Sequence, residues 1–554
     1  MASFSQPHSE AFDRPRTTAG VSVQTTLILA GCFGLTSLYL LFYHQGLHLF
    51  DNDYDWINQA RETPWVAVFL DLLRPVPDDW GFQFRPGQIL GIKLLLALFG
   101  EHAPSFYTFK CLSAGAVAAG IAGFLVLAGE QRKIAVVAAS LFGLSSATFA
   151  SAMWVSDFEL VAQMLTLAAM STFWLIHNRD QDSTSWPHTV LPQALVAILL
   201  VLAHRTKGSA KILPIVLMVY LAVWRRDQFW KWLPAMGCVA LTIIPLLSLL
   251  DNPIPPFAPF SKDLSQGWMW KPANVGTLGT LLFGNFHLLF GTHDNTVPYS
   301  LLANLSPWLL WPPVLAVALW IQSRDRRIRP LTGLLGVWLL VTLAAYSAYP
   351  QLPNGFMARY VVVSLVPASM LVALAIARLL DRVGPQHSKQ VAFVLVLLLL
   401  AHGVSQSEGH RYQRETLGQA IVAYDRARAA IASEIHDADV VILGFDYSYN
   451  RGRVDTNHYH DAPYQTPSAI QSRPLYVLVC SEQEVDQPRY DDGVREIKSE
   501  LAFKIPTDAQ LKVGIRPVAM YDGLTNSLYD RLVYRSRLSF VGLLYRVTYE
   551  PMAS

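Results

Sequence analysis

RPGQILGIKLLLALFG, Arg85 to Gly100, is the stretch on which the topology turns. Its apolar residues could make one more membrane crossing or a short helix lying at the bilayer surface. Pro86 suits the first turn of a helix, where its missing N–H costs nothing, and Gly100 suits a C-terminal stop. The helix between them has about 13 residues, and at ~1.5 Å rise each it reaches ~20 Å, short of the ~30 Å hydrocarbon layer. Lys93 falls in its middle. The stretch therefore reads as an interfacial or re-entrant helix, and that choice fixes the side on which every later loop lies.

The chain around it has 554 residues, 52% hydrophobic and only 15% charged, with a mean hydropathy of +0.30. Those values describe a polytopic membrane protein rather than a soluble one. Apolar runs of spanning character fall at 21–43, 106–128, 134–152, 158–177, 190–204, 209–224, 232–250, 298–321, 331–349, 360–380 and 390–405. The expectation is a polytopic α-helical fold with about eleven transmembrane helices over residues 21–405. Residues 1–20 are polar and lack the apolar core and small-residue cleavage site of a signal peptide, so they read as a disordered cytosolic tail. From Gln406 to Ser554 the composition becomes charged and mixed, like a soluble domain. Cys32, Cys111 and Cys238 lie in apolar runs and Cys480 stands alone, so no disulfide or CxxC site is implied. A net charge of +2 gives no footing for a nucleic-acid partner.

With 85–100 lying flat, the basic loops at Arg132-Lys133, Arg225-Arg226-Lys231, Arg324-Arg326-Arg327-Arg329 and Arg382-Lys389 all face one side. The excess of Lys and Arg in cytoplasmic loops makes that side the cytoplasm. The first loop 43–105, the turn WVSDFE (154–159), the turn HRTKGSAK (204–211), the loop 251–297, the turn NGFMARY (354–360) and the C-terminal domain then share the outer face. The protein is expected in the inner (plasma) membrane, crossing it many times, with its site and its C-terminal domain extracytoplasmic.

Three aspartates, Asp51, Asp53 and Asp55, alternate in HLFDNDYDWINQARE (48–62), directly after the first span. On a strand all three share a face; on a helix Asp51 and Asp55 do. Crowded, partly buried carboxylates can accept a proton, and a D-x-D-x-D set could also hold a hard divalent cation such as Mg or Mn through oxygen. Helix capping before Trp56 would account for the same pattern. WVSDFE brings Asp157 and Glu159 to the start of a span, where carboxylates are costly and usually purposeful. HRTKGSAK brings His204, Arg205, Lys207 and Lys211 to the ends of two spans, and Arg359-Tyr360 opens another. Cations outside, Arg85 and Lys93 among them, could bind a lipid-anchored phosphate or simply snorkel to headgroups. SQGWMWKP (265–272) and NFHLLFGTHDN (285–295) read as interface anchors or a lid. Gly-rich nucleotide loops, a nucleophile elbow and HExxH are all missing from convincing contexts.

Taken in order, these motifs resemble the GT-C glycosyltransferase superfamily, in the branch containing protein O-mannosyltransferases and lipid A aminoarabinose transferases. The residues that carry the resemblance are the acids around Asp53 followed by an aromatic and ARE, RP opening a short helix that ends in FG, Asp157 after a span, RTKGSAKILP, and ARYVVVSLVP. They cover roughly residues 21–380. The family's Asp-Glu pair stands here as Asn52-Asp53, and the RY element lacks its nearer proline. The resemblance implies a hexosyl- or pentosyltransferase that moves a sugar from a polyprenyl-phosphate donor lipid to a hydroxyl of a glycan, lipid or protein acceptor, with inversion. It further implies Asp53, with Asp51 as runner-up, as general base and Asp157 as the residue orienting the substrates. Arg85, Lys93, Lys207 and Arg359 would neutralise the departing phosphate. Asp55, Glu159, Arg205 and Tyr360 would complete the substrate site. A lipid-linked glycan ligase or polymerase has similar topology, and a membrane transporter is the reading from another class. Against the transporter stand the absence of an inverted repeat and the crowding of polar residues on one face.

In the C-terminal domain (406–554), helical spacing over 410–436 leads into strand-like DVVILGF (439–445). PLYVLVCS (474–481) and FVGLLYRVTYE (540–550) are further strands and YDDGVREIKSEL (490–501) a helix. The pattern is that of a small α/β domain.

Overall fold

The computed structural model describes residues 22–44, 49, 52–73, 85–155, 157–178, 186–243, 329–347, 358–383, 390, 393, 397, 439–443, 475–484, 511–524 and 538–551. Helix α1 (Val23–Tyr43) starts at Ser22, whose Oγ accepts the Thr25 N–H at 3.2 Å. The first loop folds into α2 (Asn52–Glu62), α3 (Trp65–Leu73) and α4 (Pro86–Phe99). The bundle continues with α5 (Ala103–Leu127), α6 (Arg132–Gly143), α7 (Ser146–Met153), α8 (Glu159–Asn178) and α9 (Trp186–Thr206). A 3-10 turn, Gly208–Ile212, leads into α10 (Leu213–Trp224) and α11 (Arg226–Ile243), and α12 (Arg329–Ser347) and α13 (Ala358–Val383) follow.

Among the described residues three helices, α1, α5 and α8 from Glu159 to Ile176, are long and apolar enough to cross a membrane. Over the expected span 134–152 lie two helices, α6 and α7, which together are long and apolar enough to cross but are bent by 53°, the form of a broken span or a re-entrant pair. Ser145 explains the break. Its Oγ accepts the Thr148 N–H at 3.1 Å and donates to the Phe142 carbonyl at 2.9 Å, ending one helix and capping the next. The expected spans at 190–204, 209–224, 232–250, 331–349 and 360–380 overlap helices α9 to α13, whose described apolar stretches are shorter than a full crossing, while 244–250, 298–321, 348–349 and nearly all of 390–405 lie outside the described residues.

Helix α4 ends where its sequence says it should. Pro86 is in the first turn, and Gly100 stops the helix at φ +62°, a backbone angle that a side chain resists. Its 14 residues cover ~21 Å, too short to span. The lysine in its middle is a peg. Lys93 Nζ donates to the Ala60 carbonyl in the last turn of α2 at 2.7 Å and lies 5.1 Å from the Trp65 ring of α3. Helix α3 leaves Val66, Phe69, Leu70 and Leu73 exposed on nine residues, the form of an interfacial helix.

The core centres on α5, whose Phe106, Ala114, Val117, Ala118, Ile121 and Leu125 are buried between α1, α6 and α8. Small residues let α1 come close, as they do in membrane bundles generally. A Cβ on Gly115 would fall on Ser37 Oγ and 2.6 Å from the Phe33 carbonyl oxygen. That oxygen is backbone and cannot swing aside. Gly115→Val is expected to lose about 1–3 kcal/mol of stability, the usual cost of overpacking. Gly34→Val, on α1 with nothing within 4 Å of the added Cβ, is the matched control. Thermal unfolding in detergent, with a clear drop only for the first variant, checks this.

The described part of the C-terminal region is a four-stranded sheet in the order β1-β2-β4-β3. Strand β1 (Asp439–Leu443) pairs parallel with β2 (Leu475–Glu484), and β4 (Leu538–Pro551) lies antiparallel between β2 and β3 (Leu511–Leu524). The sequence reading anticipates β1, β2 and β4 but not β3. Two glycines and a proline mask its pattern. Pro517 is tolerated because β3 is at one edge of the described sheet and its register slips between Pro517 and Ala519. The expected helices at 410–436 and 490–501 lie outside the described residues.

Candidate functional site

Two short joints build the site. The first is the turn between α7 and α8, closed by the Asp157 N–H donating to the Trp154 carbonyl at 3.1 Å. The second follows α9. Lys207 leaves the helix in extended backbone (φ −151°, ψ 134°) before the 3-10 turn begins, and its own N–H still donates to the Ala203 carbonyl at 2.9 Å. This geometry turns the Lys207 side chain toward the first joint, where Nζ forms an ion pair with Asp157 Oδ1. Both residues are buried.

A second cross-link runs parallel to the first. Ser209 Oγ lies 2.7 and 2.9 Å from the two carboxylate oxygens of Glu159, and Gln163 Nε2 donates to Oε1 at 2.8 Å. Residues 157–159 and 207–209 are therefore laced together by one ion pair and one hydroxyl–carboxylate bond.

The third contribution comes from α5. Lys110 is fully buried; its Nζ donates to the backbone carbonyl of Asp157 and lies 5.7 Å from the Phe158 ring. Asp157, Lys207, Asp53 and Glu159 all lie close enough to act on its charge. Asp53, on α2, is 1% exposed. Formally, three carboxyls from two elements face two ammoniums from two others. Groups of this kind are costly to bury unless they answer one another.

Helix α4 closes one flank. A Cβ on Gly91 would strike the Phe158 ring, and one on Gly87 would stand 2.7 Å from Thr206 Oγ1. The two glycines, one turn apart, let the start of α4 lie against both joints. Arg85, which precedes α4, thereby comes within electrostatic range of Lys211, as does the buried Arg205. The Arg85 guanidinium also lies 5.5 Å from the Trp56 ring of α2. His204 Nε2 and Thr242 Oγ1 are 2.8 Å apart behind them. The site thus has a mixed side, where acids and lysines are paired, and a basic side formed by Arg85, Arg205 and Lys211.

Of the residues expected from sequence, Asp53, Asp157, Glu159, Lys207, Arg205 and Arg85 come together here from four separate stretches of chain. Lys93 is engaged with Ala60 and Trp65 on the far part of α4. Asp51 lies outside the described residues, as do 265–272 and 285–295. Asp55 is on α2 and Arg359 and Tyr360 are in the first turn of α13, with side chains outside the described residues. Among the described residues no three His, Cys, Asp or Glu side chains are grouped to hold a metal ion. Sequence reasoning missed Lys110. The signal was there, since it is a lone cation inside a span of small and apolar residues, FKCLSAG, and such residues are functional candidates by default.

No known family and no curated protein matches the sequence. Among solved structures the chain is similar to ArnT from Cupriavidus metallidurans bound to undecaprenyl phosphate, with a TM-score of 0.48 and 15% identity over 94% of this chain and 98% of that one. It is also similar to the oligosaccharyltransferase AglB from Archaeoglobus fulgidus in complex with an inhibitory peptide and a dolichol-phosphate, with a TM-score of 0.48 and 11% identity over 82% of this chain and 69% of that one.

Proposed function

We propose that the protein is a membrane glycosyltransferase that moves a sugar from a polyprenyl-phosphate donor to an acceptor hydroxyl on the outer face of the membrane, with inversion. The observation that carries this reading is the meeting of Asp53, Asp157 and Lys207 beside a basic flank. The acids and the cations come from separate stretches, each of which the charge of the cytoplasmic loops assigns to the outer side.

In this reading the Asp53 carboxylate takes the proton of the acceptor O–H. The acceptor oxygen attacks the anomeric carbon from the face opposite the phosphate. As that bond forms, the bond from the anomeric carbon to the phosphate oxygen breaks, and its electron pair leaves with the polyprenyl phosphate. Arg85, Arg205 and Lys207, with Arg359 and Tyr360, supply charge and hydrogen bonds to the phosphate. Asp157, fixed by Lys207, orients the sugar or the acceptor. The domain over 406–554, on the same outer side, guides the acceptor.

The test is mass spectrometry of surface glycans, lipids and glycoproteins from a deletion strain. One linkage should disappear and return with the wild-type gene. An unchanged profile would remove the reading. The basic side also favours one alternative, a lipid-linked glycan ligase or polymerase, because three cations could hold a pyrophosphate. Purified protein offered monophosphate-linked and diphosphate-linked sugars separately decides between them.

A further inference from the structure

We infer that Lys110 is a positioning residue whose positive charge, rather than its hydrogen bond alone, holds the Asp157 turn and Asp53 of α2 in one pocket. The inference rests on the proposed function for what the pocket is used for, but not for the coupling itself.

Three observations support it. Lys110 is fully buried in α5, packed between α1, α6 and α8, so its ammonium is shut off from solvent. Its hydrogen bond goes to a backbone carbonyl of the turn, which fixes where the chain carries Asp157. Acids on different elements also act on its charge: Asp157 in the turn, Glu159 at the start of α8, and Asp53 on α2. Lys207 ties Asp157 to the turn after α9. Lys110 is placed to draw Asp53 toward the same centre. A neutral donor could cap the carbonyl equally well but would leave three carboxyls formally facing a single ammonium.

Two substitutions separate charge from hydrogen bond. Lys110→Gln keeps a donor and loses the charge; Lys110→Arg keeps the charge. In the deletion strain, at equal membrane levels, K110Q is expected to yield at most about a tenth of the wild-type product, and K110R to recover much of it. Equal product from the two would overturn the inference. The second measurement does not depend on activity. D53N should raise the unfolding temperature, or the membrane level, of K110Q by more than it changes that of the wild type, because it removes one of the acids left in excess. If K110Q fails to accumulate, K110Q/D53N should accumulate. Strictly additive shifts, or no rescue, would sink the coupling. Full product from D53N alone would instead strike the proposed role of Asp53 and leave the thermal result standing.

Discussion

An Asp53→Asn protein should accumulate in the membrane like the wild type and transfer almost no sugar. The carboxamide has the shape of the carboxylate and nearly its volume, so α2 keeps its packing around buried Ile57 and Ala60. The oxygen that could take a proton is gone, and the loss of a general base costs ~10²–10⁴-fold in rate. Product measured by mass spectrometry in the complemented deletion strain, normalised to protein seen by size-exclusion chromatography, gives the answer. Normal product from the variant would move the base elsewhere, first to Asp51 and then to Asp55. Those two residues supply the comparison, since their Asn variants should retain more product than D53N.

The second large effect is on stability. Lys207→Met removes one side of a buried ion pair and leaves the Asp157 carboxylate with less positive charge around it. Breaking such a pair from one side costs about 3–5 kcal/mol, because the remaining charge is stranded rather than because the pair itself is so strong. The unfolding temperature should drop markedly, and K207M/D157N should regain much of the loss while staying inactive. If K207M alone unfolds like the wild type, the pair adds nothing to the fold and the lacing of the two joints falls to Ser209 and Glu159. The double variant matters most here, since simple loss of packing at residue 207 would not be repaired by changing residue 157.

Local chemistry was legible in the sequence where one residue decides the matter. Pro86 and Gly100 bracket α4, and its short length follows from them. The sidedness of the loops, read from Lys and Arg, grouped Asp53, Asp157 and Lys207 before any contact was known. What could not be read was how each lysine spends its charge. Lys93 and Lys207 look alike as cations in segments that the loop charges group on one face, yet one pegs α4 to α2 and α3 and the other grips Asp157. That difference depends on the angle at which α4 lies across α2 and on the extended backbone at Lys207, both tertiary facts. The break at Ser145 was hidden for the opposite reason. The run 134–152 is uncharged and apolar on average, and hydropathy does not register which of its serines closes one helix and opens another. Strand β3 was lost because its proline and glycines are permitted by an edge position that only the pairing reveals.

The break at Ser145 also sets where the chain delivers the Asp157 turn. An eight-residue helix is ~12 Å long, and tilted by 53° it advances only ~7 Å along the direction of α6. The loop bearing Asp157 is thus recessed by ~5 Å compared with a straight continuation. Were the run unbroken, that loop would lie about one helical turn farther along the direction of α6.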